Sequence, residues 1–175
     1  MSDPYTDPRS GVLRNRLGIA DRDGLSQAEA DLTTAAMAAL IDTPLPGAFD
    51  LVHLQAFHRR IFGRIYPLTI RTVAIAKTDM FCLPHHIEGY ASSTFEDLAR
   101  DKHLRGLPRD SFVDRLTHYF AEVNAIHPFL EGNGRCFWAR DCGARWRSLL
   151  ALRVHSEPSF GQLSREAGWP IDWPS

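Results

Sequence analysis

The stretch His127-Pro128-Phe129-Leu130-Glu131-Gly132-Asn133-Gly134-Arg135 decides how the rest of the chain is read. An imidazole, a carboxylate, two glycines, an amide and a guanidinium follow one another almost without a break. Gly132 and Gly134 let the backbone adopt positive φ and turn successive N–H groups toward one point. Converging N–H groups bind anions, phosphate above all. Arg135 adds a planar fork of donors that matches phosphate oxygens. Glu131 is a hard oxygen ligand of the kind Mg²⁺ uses while it rides on a substrate's phosphates. His127 exchanges a proton near neutral pH. The set describes base-assisted transfer of a phosphate-bearing group, with His127 catalytic, Gly132, Asn133, Gly134 and Arg135 binding the nucleotide, and Glu131 on the metal.

Upstream of this stretch the pattern is helical. Pro108 precedes a helix that Asp110 or Ser111 can cap, with Asp114 in its first turn. Phe112, Leu116, Phe120 and Val123 form its core stripe, with Tyr119 and Asn124 beside it. It ends near Ile126, because a residue before proline avoids the helical region. His127 therefore sits at a helix C-terminus, where the dipole favours a protonated ring. Further back, Pro84-His85-His86-Ile87-Glu88 opens a helix toward Leu98; adjacent histidines on a helix point apart, against a metal site there. A helix after Asp50 carries Leu51, Leu54, Phe57, His58, Ile61 and Phe62 on one face and stops at Gly63. His53 and His58 read as packing residues, since no second ligand pair accompanies them. The first helix runs from Ser26, through Ala28, Leu32, Ala35, Ala36, Ala39 and Leu40, to Pro44 and Pro46. Residues 1–19 form an irregular arm with turn-forming Asp-Pro and Ser-Gly pairs. Only residues 70–83 change period: β-branched residues alternate, Lys77-Thr78-Asp79 offers a turn, and an apolar run follows, which predicts a hairpin.

The 175 residues suit one domain spanning 1–175. A net charge of −1 gives no general pull toward nucleic acid or an anionic membrane. No apolar run is long enough to cross a bilayer, and the first eleven residues lack a signal-peptide core. Cys82, Cys136 and Cys142 have no zinc-like spacing and read as free thiols of a reducing cytoplasm.

The 127–135 stretch resembles the Fic-domain signature His-Pro-Phe-x-(Asp/Glu)-Gly-Asn-Gly-Arg-x-x-Arg at every defined position up to Arg135. The resemblance implies an all-α Fic fold: a helical bundle around a helix–loop–helix active site with one β-hairpin flap over it. Leu13-Arg14-Asn15-Arg16-Leu17-Gly18-Ile19 resembles the opening of bacterial Fic proteins, and the 70–83 hairpin resembles the flap that takes an extended segment of the target as an added strand. The flap's root departs from the family, whose Tyr-x-Trp-Ala-Gly-x-x-Arg is replaced by the shorter Tyr66-Pro67-Leu68-Thr69-Ile70-Arg71. The signature's last arginine is also missing: Trp138 stands there. Family-like sequence returns only at Phe160-Gly161-Gln162-Leu163, about twenty residues late, and counting back from it puts Glu157 at the arginine position. Residues 136–158 thus read as an insertion or divergent segment. Its Arg140, Arg145, Arg147 and Arg153 are candidates for the missing charge, although Arg140 lies about 200° further round a helix than residue 138.

The activity implied by resemblance is protein adenylylation. AMP passes from ATP to a hydroxyl side chain of a target protein, with Mg²⁺ as cofactor and with Phe129 as a buried loop anchor. The family's self-inhibitory Ser/Thr-x-x-x-Glu-Gly/Asn helix has no full match; Ser92-x-x-x-Glu96 is followed by Asp97 and lies inside the expected core. The chain therefore resembles Fic toxins restrained by a separate small helical antitoxin, a class whose targets include type II topoisomerase subunits. The alternative is a catalytically impaired Fic-fold protein that acts only by binding a partner. A third reading is a sibling phosphate-group transfer, or AMP removal, on the same fold.

Overall fold

A computed structural model describes residues 4–67, 69–76 and 80–136, the side chain of Ile41 excepted. The divergent segment beyond Cys136, with Trp138 and the four candidate arginines, lies outside the described residues. So do the tip of the expected hairpin, 77–79, and the third cysteine.

Among the described residues four α-helices carry the fold: α1 (Arg22–Asp42), α2 (Leu51–Phe62), α3 (Ile87–Arg100) and α4 (Arg109–Ile126). α1 starts four residues before the expected Ser26, because the Asp21 side chain accepts from Gly24 N–H at 2.6 Å and caps it there. Leu25, Thr33 and Leu40 are its buried residues, whereas Ala35, expected in the stripe, faces solvent. α2 matches its expected face. Asp50 caps it through His53 N–H at 2.8 Å, and Leu54, Phe57, His58, Ile61 and Phe62 are buried. It ends at Gly63 in ordinary right-handed geometry, so that glycine is not needed for positive φ. α4 begins at Arg109 with Pro108 as its N-cap. Neither Asp110 nor Ser111 caps it, since the proline's fixed φ starts the helix two residues earlier. Phe112, Tyr119, Val123 and Ile126 are its buried residues, while Leu116 and Phe120 are half-buried. Tyr119 therefore belongs to the stripe; its hydroxyl donates to Asp101 at 2.7 Å and ties α4 to the end of α3. Burial and that bond push the phenol up to about 12. Ser92 and Glu96 are exposed on α3, not in the core.

α1 packs on α2, α2 on α3 and α3 on α4, and the shared core centres on Leu54, Ile61, Phe62, Ile65, Ile87 and Ile126. The N-terminal arm is held to this core. Thr6 and Leu13 form an isolated antiparallel bridge, Arg16 N–H donates to Ile65 O at 2.7 Å, and both ends of the Asn15 amide close a turn onto Leu17 and Ile19. The Tyr5 hydroxyl accepts from Thr72 N–H at 3.0 Å, which fixes the arm to the start of the 70–83 segment.

That segment contains no strand among the described residues. It doubles back with a single antiparallel bridge, Ala76 to Met80, and one bond from Phe81 N–H to Ile75 O at 3.2 Å. The reason is where its other polar groups go. The carbonyls of Val73 and Cys82 accept from the Arg71 guanidinium, Cys82 N–H donates to Ala125 O, and Arg71 N–H donates to Pro128 O. The two legs are bound to the end of α4 more than to each other.

Candidate active site

α4 ends in His127, which takes a left-handed conformation (φ 47, ψ 60) while its N–H still bonds Val123 O at 3.1 Å. This turn throws the chain out of the helix and into the loop 128–132. The imidazole Nδ1 donates to Asn124 O at 3.3 Å, a carbonyl that can only accept, so the neutral ring carries its lone pair on Nε2. The ring is half-buried and stacks on Phe81 of the flap segment, with centroids 3.9 Å apart and planes at 18°.

The loop is closed by the Asn133 side chain. Its Oδ1 accepts from Phe129 N–H at 2.8 Å and its Nδ2 donates to Phe129 O at 2.7 Å, a two-bond clip buried from water. Phe129 is 2% exposed, the buried anchor that the resemblance implied. Its ring stacks on His58 at 3.9 Å, and His58 in turn stacks on Phe62 at 5.0 Å. His58 Nε2 donates to the carbonyl of Glu131 at 2.9 Å. Desolvation, against the pull of that bond, pushes the imidazole down to about 4. His58 is therefore a neutral packing residue and also the pin beneath the loop, a role that its place on the α2 stripe did not reveal.

The two glycines differ. Gly132 has φ +79, and a Cβ there would meet the Phe62 ring at 2.2 Å. Both its backbone and its space exclude a side chain. Its N–H is taken by Glu131 Oε1 at 2.9 Å, so Gly132 shapes the turn and orients the carboxylate. Gly134 lies in the helical turn 133–136, closed by Cys136 N–H to Gly132 O at 3.0 Å, and a Cβ there would meet none of the described residues within 4 Å. In a first turn the N–H groups have no acceptor within the helix. Those of Asn133, Gly134 and Arg135 are therefore the motif's candidates for holding an anion.

Glu131 keeps 44% of its side chain exposed. One oxygen is oriented by Gly132 N–H, and Arg135 stands 3.6 Å from that oxygen. A single accessible, oriented carboxylate is what Mg²⁺ needs when phosphates and water complete its shell. Among the described residues no cluster of three acidic, histidine or cysteine side chains could hold a metal unaided.

The Arg135 guanidinium turns toward α1. It pairs with Glu29, donates to Thr33 Oγ1 at 3.1 Å, and lies over the Phe62 ring at 4.8 Å. The Tyr66 hydroxyl donates to the second oxygen of Glu29 at 2.5 Å, and burial with that carboxylate raises the phenol's pKa strongly. The sequence reading had no signal for Glu29, Thr33 or Tyr66, since each sits over thirty residues from its partner. His85 and His86, in the turn after the 70–83 segment, meet at 4.1 Å with ring planes tilted by 49°. Cys136 is fully buried, and desolvation holds its thiol protonated.

The Fic/DOC family matches residues 48–139. Over 98% of its length the chain is 39% identical to protein adenylyltransferase VbhT of Bartonella schoenbuchensis, of which it spans 33%. It is 34% identical to a probable protein adenylyltransferase Fic of Salmonella typhimurium, again over 98% of this chain and over 76% of the relative. Among solved structures, BepC of Bartonella tribocorum with bound AMPPNP superposes with a TM-score of 0.76 at 18% identity, covering 92% of this chain and 85% of that one. The N-terminal Fic domain of a Bartonella quintana effector with bound ADP superposes at 0.69 and 24% identity, covering 76% of this chain and 72% of that one. At those identities the superpositions establish the fold. No described helix is long and apolar enough to cross a membrane.

Proposed function

Because the chain belongs to the Fic/DOC family, we propose that it transfers AMP from ATP to a hydroxyl side chain of a target protein, as the names of its relatives indicate for them. The observation that carries this reading is the construction of one loop. Asn133 clips it shut, a histidine with its lone pair on Nε2 stands at one end, and a glycine-lined first turn opens at the other.

In the proposed reaction, His127 takes the proton of the target hydroxyl at Nε2. The oxygen attacks the α-phosphorus of ATP as the bond to pyrophosphate breaks, so one phosphoester forms and one phosphoanhydride is lost. The N–H groups of Asn133, Gly134 and Arg135 hold phosphate oxygens, and Arg135 neutralises the outer phosphates by exchanging its Glu29 partner for them. Glu131 would hold Mg²⁺, which when bound would supply charge neutralisation at the phosphates. The work is positioning and electrostatics. The target docks along the flap segment, where Met80 and Leu83 are exposed. We assign the protein to the cytoplasm and to a toxin role with a separate small helical antitoxin, with type II topoisomerase subunits as the target class. This part rests on the resemblance.

Trp138 in place of the second signature arginine favours the other reading, a Fic-fold protein that only binds a partner. Incubating lysate with α-labelled ATP, wild type against His127→Ala, separates the two. Label on a protein, lost in the variant, supports transfer. Mg-ATP binding with no label under any condition supports the binder, and label undiminished in the variant removes His127 from the base role.

A further inference from the structure

Arg71 carries a buried charge that the reaction above does not use. It is 1% exposed, yet its four guanidinium hydrogen bonds all go to main-chain carbonyls: Nε to His127 O (2.7 Å), Nη1 to Val73 O (2.8 Å), and Nη2 to Ile126 O (3.1 Å) and to Cys82 O. The carbonyls at the end of α4 have no acceptor role inside the helix and carry the negative end of its dipole, so a cation there is favoured. That accounts for Ile126 and His127. It does not account for Val73 and Cys82, which lie on the two legs of the flap segment.

The placement of those four carbonyls points to a second task. His127 and Phe81 form the face-to-face stack of base and flap. Arg71 holds the carbonyl of His127 itself and the carbonyl of Cys82, the residue directly after Phe81. One rigid planar group thus grips the main chain on both sides of the stack. Its own N–H, bonded to Pro128 O at 2.9 Å, fixes the next residue of the loop. We infer that Arg71 is a positioning residue for the base: it locks the His127 imidazole against Phe81, so that flap and base keep one relative orientation. A lysine would keep the charge but, as a point donor on a flexible stem, would not span carbonyls on three segments.

The kinetic consequence rests on the proposed role of His127; the geometric consequence does not. The test is therefore read first by NMR of histidine ring protons in the full chain, with His127 assigned through His127→Ala and the stack calibrated by Phe81→Leu. In Arg71→Lys and Arg71→Gln the His127 signals should move to the positions seen in Phe81→Leu. The signals of His58, stacked between Phe62 and Phe129, should stay where they are. Labelling of lysate by α-labelled ATP should fall about 10²-fold, as for a misplaced catalytic group, while Mg-ATP affinity stays within about twofold. His127 signals that do not move in a folded Arg71 variant overturn the inference, and so do His58 and His127 signals that shift together. If the stack loosens as expected but the wild type labels nothing, the adenylyl-transfer reading fails and the clamp stands. If neither variant folds, the wild type decides on warming: Arg71 Nε–H protection and the His127 ring shift must be lost together, and loss of one well before the other overturns the inference.

Discussion

Two arginines flank the signature loop, and they are held in opposite ways. Arg71 meets only carbonyl oxygens and is buried. Arg135 keeps 23% of its side chain exposed and meets a carboxylate, a hydroxyl and an aromatic face. Carbonyls cannot leave the chain, and a guanidinium surrounded by them has nothing to exchange for. A carboxylate partner is different, because a phosphate offers the same geometry with more charge. The comparison separates a cation that builds the site from one that is available to a ligand, although both occur beside the same loop.

The sharpest way to break that contrast is to remove each charge in turn. Arg71→Met strands four carbonyls, all of them at buried or half-buried residues, and should lower stability by about 4 kcal/mol or more in urea melts. Arg135→Met leaves Glu29 its Tyr66 bond and should cost less, about 2 kcal/mol, while abolishing the Mg-ATP shift in melting temperature. Equal losses of stability would erase the distinction.

The glycines give the next largest effect. Gly132→Ala meets both a left-handed backbone and the Phe62 ring, and should cost roughly 3 kcal/mol by thermal melting. Gly134→Ala should change stability by no more than about 0.5 kcal/mol, because no described residue lies within 4 Å of its Cβ.

The sequence made one half of this site readable and hid the other. The loop was legible because its chemistry is local: His127, Glu131 and the glycines are neighbours in the chain, and periodicity put Phe62 and His58 on one buried face of α2 without showing that this face lies under the loop. Glu29, Thr33 and Tyr66 were not legible, since their bonds to Arg135 and to one another cross between α1, the end of α2 and the loop. The 70–83 segment, whose tip lies outside the described residues, shows a related limit. Alternating β-branched residues predict strands, but Arg71 takes the carbonyls of Val73 and Cys82, a partnership that only the tertiary structure decides. The same holds at α4, where Pro108 starts the helix ahead of the polar residues that looked like caps.

A pH titration sharpens the view of the loop's underside. His58 titrates near 6.5 in an unfolded chain and near 4 in the folded one, so the folded state binds fewer protons between those values. Its contribution is fully present above pH 6.5 and is lost as pH falls toward 4, on the order of 3 kcal/mol in all. Urea midpoints should drop across that window in the wild type and much less in His58→Phe, whose ring still stacks on Phe129. The smallest effect is expected on the Arg135 side: Glu29→Gln should tighten Mg-ATP about three- to tenfold by calorimetry, since the phosphates then displace a weaker partner. Weaker binding in that variant would mean that Glu29 orients Arg135 for the nucleotide.

The account depends most on the open side of the turn at Gly134 being where a nucleotide's phosphates sit. Calorimetric titration of Mg-ATP into the wild type and into Gly134→Leu asks this directly, because a Cβ at this position meets no described residue within 4 Å. Binding to the wild type that disappears in a folded Gly134→Leu is the result expected. Equal binding to both proteins would contradict it and move the nucleotide, and with it the proposed chemistry, away from this loop.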